Sequence, residues 1–247
     1  MSGGERSGTQ TKVALVTGAT RGIGRAVALR LAQDGFHLGL AARTRDDLHE
    51  VVRRADPEGS GAVAPFPMDV TDPQGVEKGV AALLEWAGAP VDVVVHAAGV
   101  FSLAPAVEES VRTFDLHLDV NLRGAFIVSR AVLPRMLARG RGTLVNVGSV
   151  AGRKALPGNA AYSASKFGLR GFHEVLLEEL RGTGVRATLL EPAATDTSIW
   201  DPLDPDESSE LPSRADMLRP EEVAEAVAFV AGRPDSVQIP YLPVERS

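Results

Sequence analysis

The chain has 247 residues, 44% hydrophobic and 23% charged, with a formal net charge of −6, which suits a soluble globular protein of one large domain or two small ones. An acidic balance without a basic block argues against nucleic acid and against anionic membranes as partners, since both need clustered Lys and Arg. The absence of cysteine excludes disulfides, thiol nucleophiles and thiolate metal sites; with no signal-like segment in "MSGGERSGTQTK" and no membrane-length apolar run, the expected location is cytoplasmic.

Residues 1–11 read as a disordered tail. "KVALV" (12–16) is a valine-dense run, as expected of a strand buried on both faces. It leads into "TGATRGIG" and then "RAVALRLAQDG", whose apolar spacing predicts a helix stopped at Gly35. "HLGLAA" (37–42) is a second buried strand, "RDDLHEVVRRA" a charged helix and "AVAPFPMDV" a third strand. "PQGVEKGVAALLEWAG" is a helix with Pro73 in its first turn. "VDVVVHAAG" (91–99) is the plainest buried strand. Residues 106–140 form a long helical stretch, read as two helices. "GTLVNVGS" (142–149) is a strand, 158–182 another long helix, and "VRATLLEP" (185–192) a strand.

Residues 195–216 carry seven acidic residues and three prolines without a regular period. They read as a long loop or a lid over a substrate. "RPEEVAEAVAFVAG" is a helix opened by Pro220, and "VQIPYLPV" an edge strand, since Pro240 and Pro243 suit an edge. Strand and helix alternate about seven times without a linker. This predicts one α/β domain over 12–247: a Rossmann-type, doubly wound parallel sheet of about seven strands with helices on both faces.

Gly18, Gly22 and Gly24 follow the first strand and open the first helix. Glycines there let the backbone approach a pyrophosphate, and the helix N-terminus offers free N–H groups. The second strand decides the coenzyme. A carboxylate at its end would bind a ribose diol, whereas an arginine would take a 2′-phosphate. Here "LAARTRDD" places Ala42 and then Arg43 at that end, and Arg21 lies in the glycine loop. Two guanidiniums favour NADP(H) over NAD(H). Asp69 in "MDVTD" is placed either to meet an adenine edge, to cap the helix at Pro73, or to form a turn before it.

In a doubly wound sheet, ligands sit beyond the C-terminal strand ends, here "HAAG" (96–99), "NVGS" (146–149) and "EPAATDT" (191–197). Tyr162 and Lys166 are i and i+4 on the long helix and share a face. The chain has only two tyrosines and, against twenty-two arginines, four lysines. A phenol near pKa 10 is a poor acid–base group at neutral pH, and an adjacent ammonium would lower it. Ser149 could donate to a substrate oxygen where negative charge develops. Asn121 stands mid-helix, where asparagine is mildly unfavourable.

These motifs together resemble the short-chain dehydrogenase/reductase family in its roughly 250-residue form, over about residues 12–245. The matching segments are "TGATRGIG", "NLRGAF" (121–126), "VNVGSVAG" and "YSASK", with thirteen residues from Ser149 to Tyr162. The resemblance implies Tyr162 as general acid or base and Lys166 as the group that tunes it and holds the nicotinamide ribose. It implies Ser149 to position the substrate oxygen and Asn121 to anchor a proton-relaying water. It also implies a coenzyme site of Gly18, Thr20, Arg21, Gly22, Ile23, Gly24, Arg43, Asp69, Val70, Ala97, Ala98, Gly99, Tyr162, Lys166, Pro192 and Thr197. The expected partner is a small carbonyl or alcohol substrate, and the long helices at about 114–139 and 158–182 imply a homodimer or homotetramer.

Two positions depart from the family pattern: His96 replaces the usual Asn before Ala-Ala-Gly, read as a structural exchange, and Ala193 follows Pro192 in place of Gly. The expected reaction is NADP(H)-dependent hydride transfer to or from a ketone or secondary alcohol. The alternatives are an enzyme resembling 3-oxoacyl-carrier-protein reductases and a catalytically silent nucleotide-binding regulator or scaffold. His37, His49, His117 and His173 lack metal-ligand spacing. Trp200 in the lid either contacts substrate or simply packs, and Leu156 and Asn159 fall close to where a substrate would lie.

Overall fold

The computed structural model describes residues 11–247; the tail expected over 1–11 lies, but for Thr11, outside the described residues. Seven strands form one all-parallel sheet in the order β3-β2-β1-β4-β5-β6-β7. They are β1 (Val13–Thr17), β2 (His37–Ala42), β3 (Val63–Pro67), β4 (Val93–His96), β5 (Gly142–Val147), β6 (Val185–Pro192) and β7 (Tyr241–Val244). The order reverses direction between β1 and β4, which opens a crevice beyond their C-terminal ends.

Helices cover both faces: α1 (Gly22–Gln33), α2 (Arg45–Ala55), α3 (Pro73–Ala87), α4 (Val111–His117), α5 (Gly124–Arg139), α6 (Ala160–Glu179) and α7 (Pro220–Ala231). Side chains alternate along each strand, so β1 feeds two cores. Ala14 and Val16 meet Val27, Leu31, Val223 and Val227 of α1 and α7. Val13 and Leu15 share the opposite core with Val76, Val128 and Leu176 of α3, α5 and α6. A strand wanted apolar on both faces reads as an unbroken hydrophobic run, which is why β1, β4 and β5 are plain in the sequence.

The stretch expected at 106–140 is helical from Val111 to Arg139, but Leu118–Arg123 is a wider π turn between α4 and α5. One residue is inserted there, and Asn121 sits inside it. The edge strand is shorter than "VQIPYLPV": only Tyr241–Val244 pairs, in parallel, with β6. The segment 195–216 is not featureless. It holds three 3-10 turns, Ser198–Leu203, Pro205–Glu207 and Arg214–Asp216. Three of its seven acids converge on one cation: Arg214 reaches Asp196 at 2.6 Å and Asp201 at 2.7 Å, with Asp206 at 3.9 Å.

Candidate active site

The glycine loop is closed by steric necessity. Gly18 has φ +65°, and a Cβ on it would lie 2.7 Å from the Ala98 backbone; one on Gly24 would lie 2.2 Å from the Gly18 carbonyl oxygen. Only glycine lets β1, α1 and the loop after β4 approach so closely. Thr17 fastens the same junction, accepting from the Ala98 amide at 3.3 Å and donating to the Val95 carbonyl at 3.4 Å. Ile23 packs partly buried on the α1/α7 core. Thr20 is half-buried in the loop ahead of α1. Arg21 is the N-cap of α1 and supplies no side-chain cap, so the first-turn N–H groups have no side-chain acceptor at the cap.

Arg21 and Arg43 are both exposed at the C-terminal ends of β1 and β2. Among the described residues neither guanidinium has a hydrogen-bonded or ionic partner. Unpaired cations beside a glycine loop, with Ala41-Ala42 closing β2, fit a dinucleotide carrying an extra phosphate. Asp69 spends Oδ1 on a turn, accepting from the Thr71 amide at 2.9 Å and the Thr71 hydroxyl at 2.8 Å. The cap of α3 is Asp72, which accepts from the Gln74 amide. Of the turn and the cap open for Asp69, the turn is the one seen. Val70 packs on Gly124, where a Cβ would meet Val70 Cγ2 at 2.7 Å. Ala97 is half-buried against the α1/α7 core, and Gly99 faces Asn121 Oδ1.

On the opposite side, Pro192 ends β6, and the Ala193 amide donates to Val244 at 2.9 Å. Ala193 therefore has an extended, sheet-continuing place and needs no glycine freedom. Thr197 caps the turn Ser198–Leu203, accepting from the Ile199 amide, and its methyl lies 3.1 Å from where Gly22 would carry a Cβ. The segment 195–216 thus packs directly against the glycine loop.

Ser149, Tyr162 and Lys166 come together at the ends of β5 and α6. Ser149 caps the turn Val150–Gly152, accepting from the Ala151 amide at 3.1 Å. That turn is pressed on α6, since a Cβ on Gly152 would lie 2.9 Å from the Lys166 carbonyl oxygen. Lys166 is buried; its Nζ donates to the Val147 carbonyl at 2.8 Å and stands 5.6 Å from the Tyr162 ring centre. Burial pushes the Lys166 ammonium down to about 8. It also pushes the Tyr162 phenol up, opposed by the Ser149 hydroxyl. The phenol is thus pushed up, not down as expected: desolvation of the phenolate is the largest influence, and the Lys166 ammonium is committed to a backbone carbonyl.

His96 lies buried at the end of β4 with Nε2 3.0 Å from Ser129 Oγ on α5. Burial pushes it down to about 4, so it is neutral at pH 7. It braces sheet to helix, as expected of a structural exchange. His117 donates Nδ1–H to the Thr113 carbonyl at 2.8 Å and packs edge-on to Tyr162.

Sequence reasoning missed Glu191, the buried penultimate residue of β6. It pairs with Arg170 at 2.8 Å and faces Arg153 at 3.7 Å. Arg170 lies one turn beyond Lys166, and Arg153 just past the Ser149 turn, so one carboxylate ties both to the sheet. Its signal was a single acid at the end of a strand, VRATLLEP, whose only other charge is Arg186 near its start.

The sequence model of the short chain dehydrogenases matches residues 12–208. The chain belongs to that family. It is 37% identical over 237 residues to glycine betaine reductase ATRR of Emericella nidulans, covering 95% of this chain and 18% of that protein; it thus spans under a fifth of that relative's length. It is 36% identical over 224 residues to D-threitol dehydrogenase of Mycolicibacterium smegmatis, covering 89% of this chain and 85% of that one. A solved structure of a variant actinorhodin polyketide ketoreductase with NADPH superposes with a TM-score of 0.86 at 32% identity, covering 95% of this chain and 96% of the other. The chain is accordingly an oxidoreductase of the short-chain type with a Rossmann-like sheet. Among the described residues no helix is long and apolar enough to cross a membrane.

Proposed function

We propose that this chain is an NADP(H)-dependent carbonyl reductase, or in reverse an alcohol dehydrogenase, acting on a ketone or secondary alcohol. The observation that carries the reading is the convergence of Ser149, Tyr162 and Lys166 beyond the β-strand ends, beside a glycine loop flanked by two arginines without a side-chain partner among the described residues. The nicotinamide, when bound, supplies or accepts the hydride. The glycine loop and the α1 N-terminus would hold its pyrophosphate, Arg21 and Arg43 its 2′-phosphate, and Lys166 with Thr197 the nicotinamide end.

Ser149 holds the substrate oxygen, and Tyr162 donates its phenolic proton to it in the reductive direction. A phenol raised by burial holds its proton until the substrate oxygen takes it, which supports Tyr162 as the acid in the reductive direction. Lys166, still mostly protonated at pH 7, offsets the charge left on the phenolate as the proton leaves. Asn121 fixes the segments around this group.

Exposed apolar side chains on α4, α5 and α6, namely Leu116, Phe126, Phe167 and Val175, support assembly of two or more copies through these helices.

The test is NADPH oxidation by purified chain across a ketone panel, repeated with NADH. Turnover favouring NADPH at least tenfold is the expected result. NADPH binding without turnover on any ketone would make the chain a silent nucleotide-binding protein, and equal use of NADH would remove the phosphate role of Arg21 and Arg43.

A further inference from the structure

Tyr162 stands at the foot of an aromatic wall. The Phe101 ring lies 4.8 Å from the Tyr162 ring at 72°, and 4.8 Å from the Trp200 ring at 63°, so the three rings run edge to face from the phenol out to the lid. Phe101 belongs to the loop after β4. The Ala104 amide donates to the Gly158 carbonyl at 2.9 Å, which pins that loop to the segment leading into α6. Trp200 sits in the first lid turn, three residues beyond Thr197. Its one polar atom is occupied, because Nε1–H donates to the Thr195 carbonyl at 3.1 Å. The neighbouring acids Asp196 and Asp201 are engaged by Arg214. The Phe101 and Trp200 rings therefore present carbon and no free donor or acceptor of their own.

We infer that the substrate is a ketone bearing a flat apolar group, an aryl group above all, which lies against Phe101 and Trp200 while its carbonyl meets Tyr162 and Ser149. This rests on the carbonyl-reductase reading above. A ring gains contact area and edge-to-face attraction from such a wall. A polyol or an amino acid would instead lose water from its hydroxyl, ammonium or carboxylate groups with nothing on the wall to replace it. Phe101 and Trp200 are thus specificity-determining residues: they select what the reacting carbon carries and take no part in proton transfer.

The experiment compares acetophenone with dihydroxyacetone as probes, using the full chain and NADPH. Acetophenone is expected to show a kcat/KM at least a hundredfold higher. Phe101→Ala and Trp200→Ala should each lower that ratio at least tenfold, chiefly through the acetophenone KM; Phe101→Leu and Trp200→Leu keep much of the volume should either alanine variant misfold. Preference for dihydroxyacetone, or a ratio that neither position alters, overturns the inference and leaves the reductase reading standing. Bound NADPH with no reduction of any ketone overturns that reading and the inference with it.

Discussion

The side-chain amide of Asn121 donates to Ser165 Oγ at 3.0 Å, linking the π turn to the helix that carries Tyr162 and Lys166. The same amide donates to the Val100 carbonyl at 3.0 Å, and Oδ1 accepts from the Val100 amide at 2.8 Å. Ser165 Oγ passes the link on to the Tyr162 carbonyl at 2.7 Å. One buried side chain therefore fastens three segments: the loop after β4, the π turn and the first turns of α6.

Asn121→Ala leaves the Val100 amide and carbonyl without their partner in a half-buried place. Each lost buried partner costs about 1–3 kcal/mol, so urea denaturation should show a loss on the order of 2–4 kcal/mol. Turnover should fall with it, since the phenol and ammonium lose their fixed spacing. A variant as stable as the parent would remove the clamp.

Arg43 bears on coenzyme choice. With no protein partner of its own among the described residues, its guanidinium has nothing to lose but a ligand phosphate. Arg43→Asp should raise the NADPH Kd at least tenfold more than the NADH Kd, measured by nucleotide fluorescence. Equal losses for the two coenzymes would contradict the phosphate assignment.

Two buried histidines set a pH dependence. Burial holds His96 at about 4, and His173, whose Nε2 donates to the Pro240 carbonyl at 2.9 Å, also at about 4. Both folded values lie below the unfolded value near 6.5, so the unfolded chain binds more protons between pH 6.5 and 4. Stability from this source is complete above pH 6.5 and is lost as pH falls toward 4, by up to about 3 kcal/mol per histidine at 1.36 kcal/mol per unit. His96→Asn should flatten the curve of unfolding free energy against pH by about that amount. An unchanged slope would show that His96 does not titrate on unfolding.

The physics that makes features legible in a sequence is local. Strands buried on both faces announce themselves as valine runs, and the glycine loop stands out because Gly18 and Gly24 sit where no Cβ fits. Tyr162 and Lys166 are visible because helical spacing puts them on one face. The π turn at Leu118–Arg123 leaves no such mark: an inserted residue keeps the apolar content of the helix, and only the mid-helix Asn121 hints at it. The Glu191 pairings with Arg170 and Arg153 span the fold, so no window of sequence contains them. The direction of the Tyr162 shift was misjudged for the same reason. Spacing brings the ammonium near, but only the fold shows Nζ turned to the Val147 carbonyl and the phenol half-buried beside Ser149.

The central claim is that Tyr162 delivers the proton, and Tyr162→Phe tests it most directly. The substitution removes one hydroxyl and keeps the ring that packs on Phe101. NADPH affinity, followed by nucleotide fluorescence, should stay within a few fold of the parent, while ketone reduction under saturating coenzyme falls at least a thousandfold. A variant that binds NADPH and still reduces ketones at near-parental rate would contradict the account.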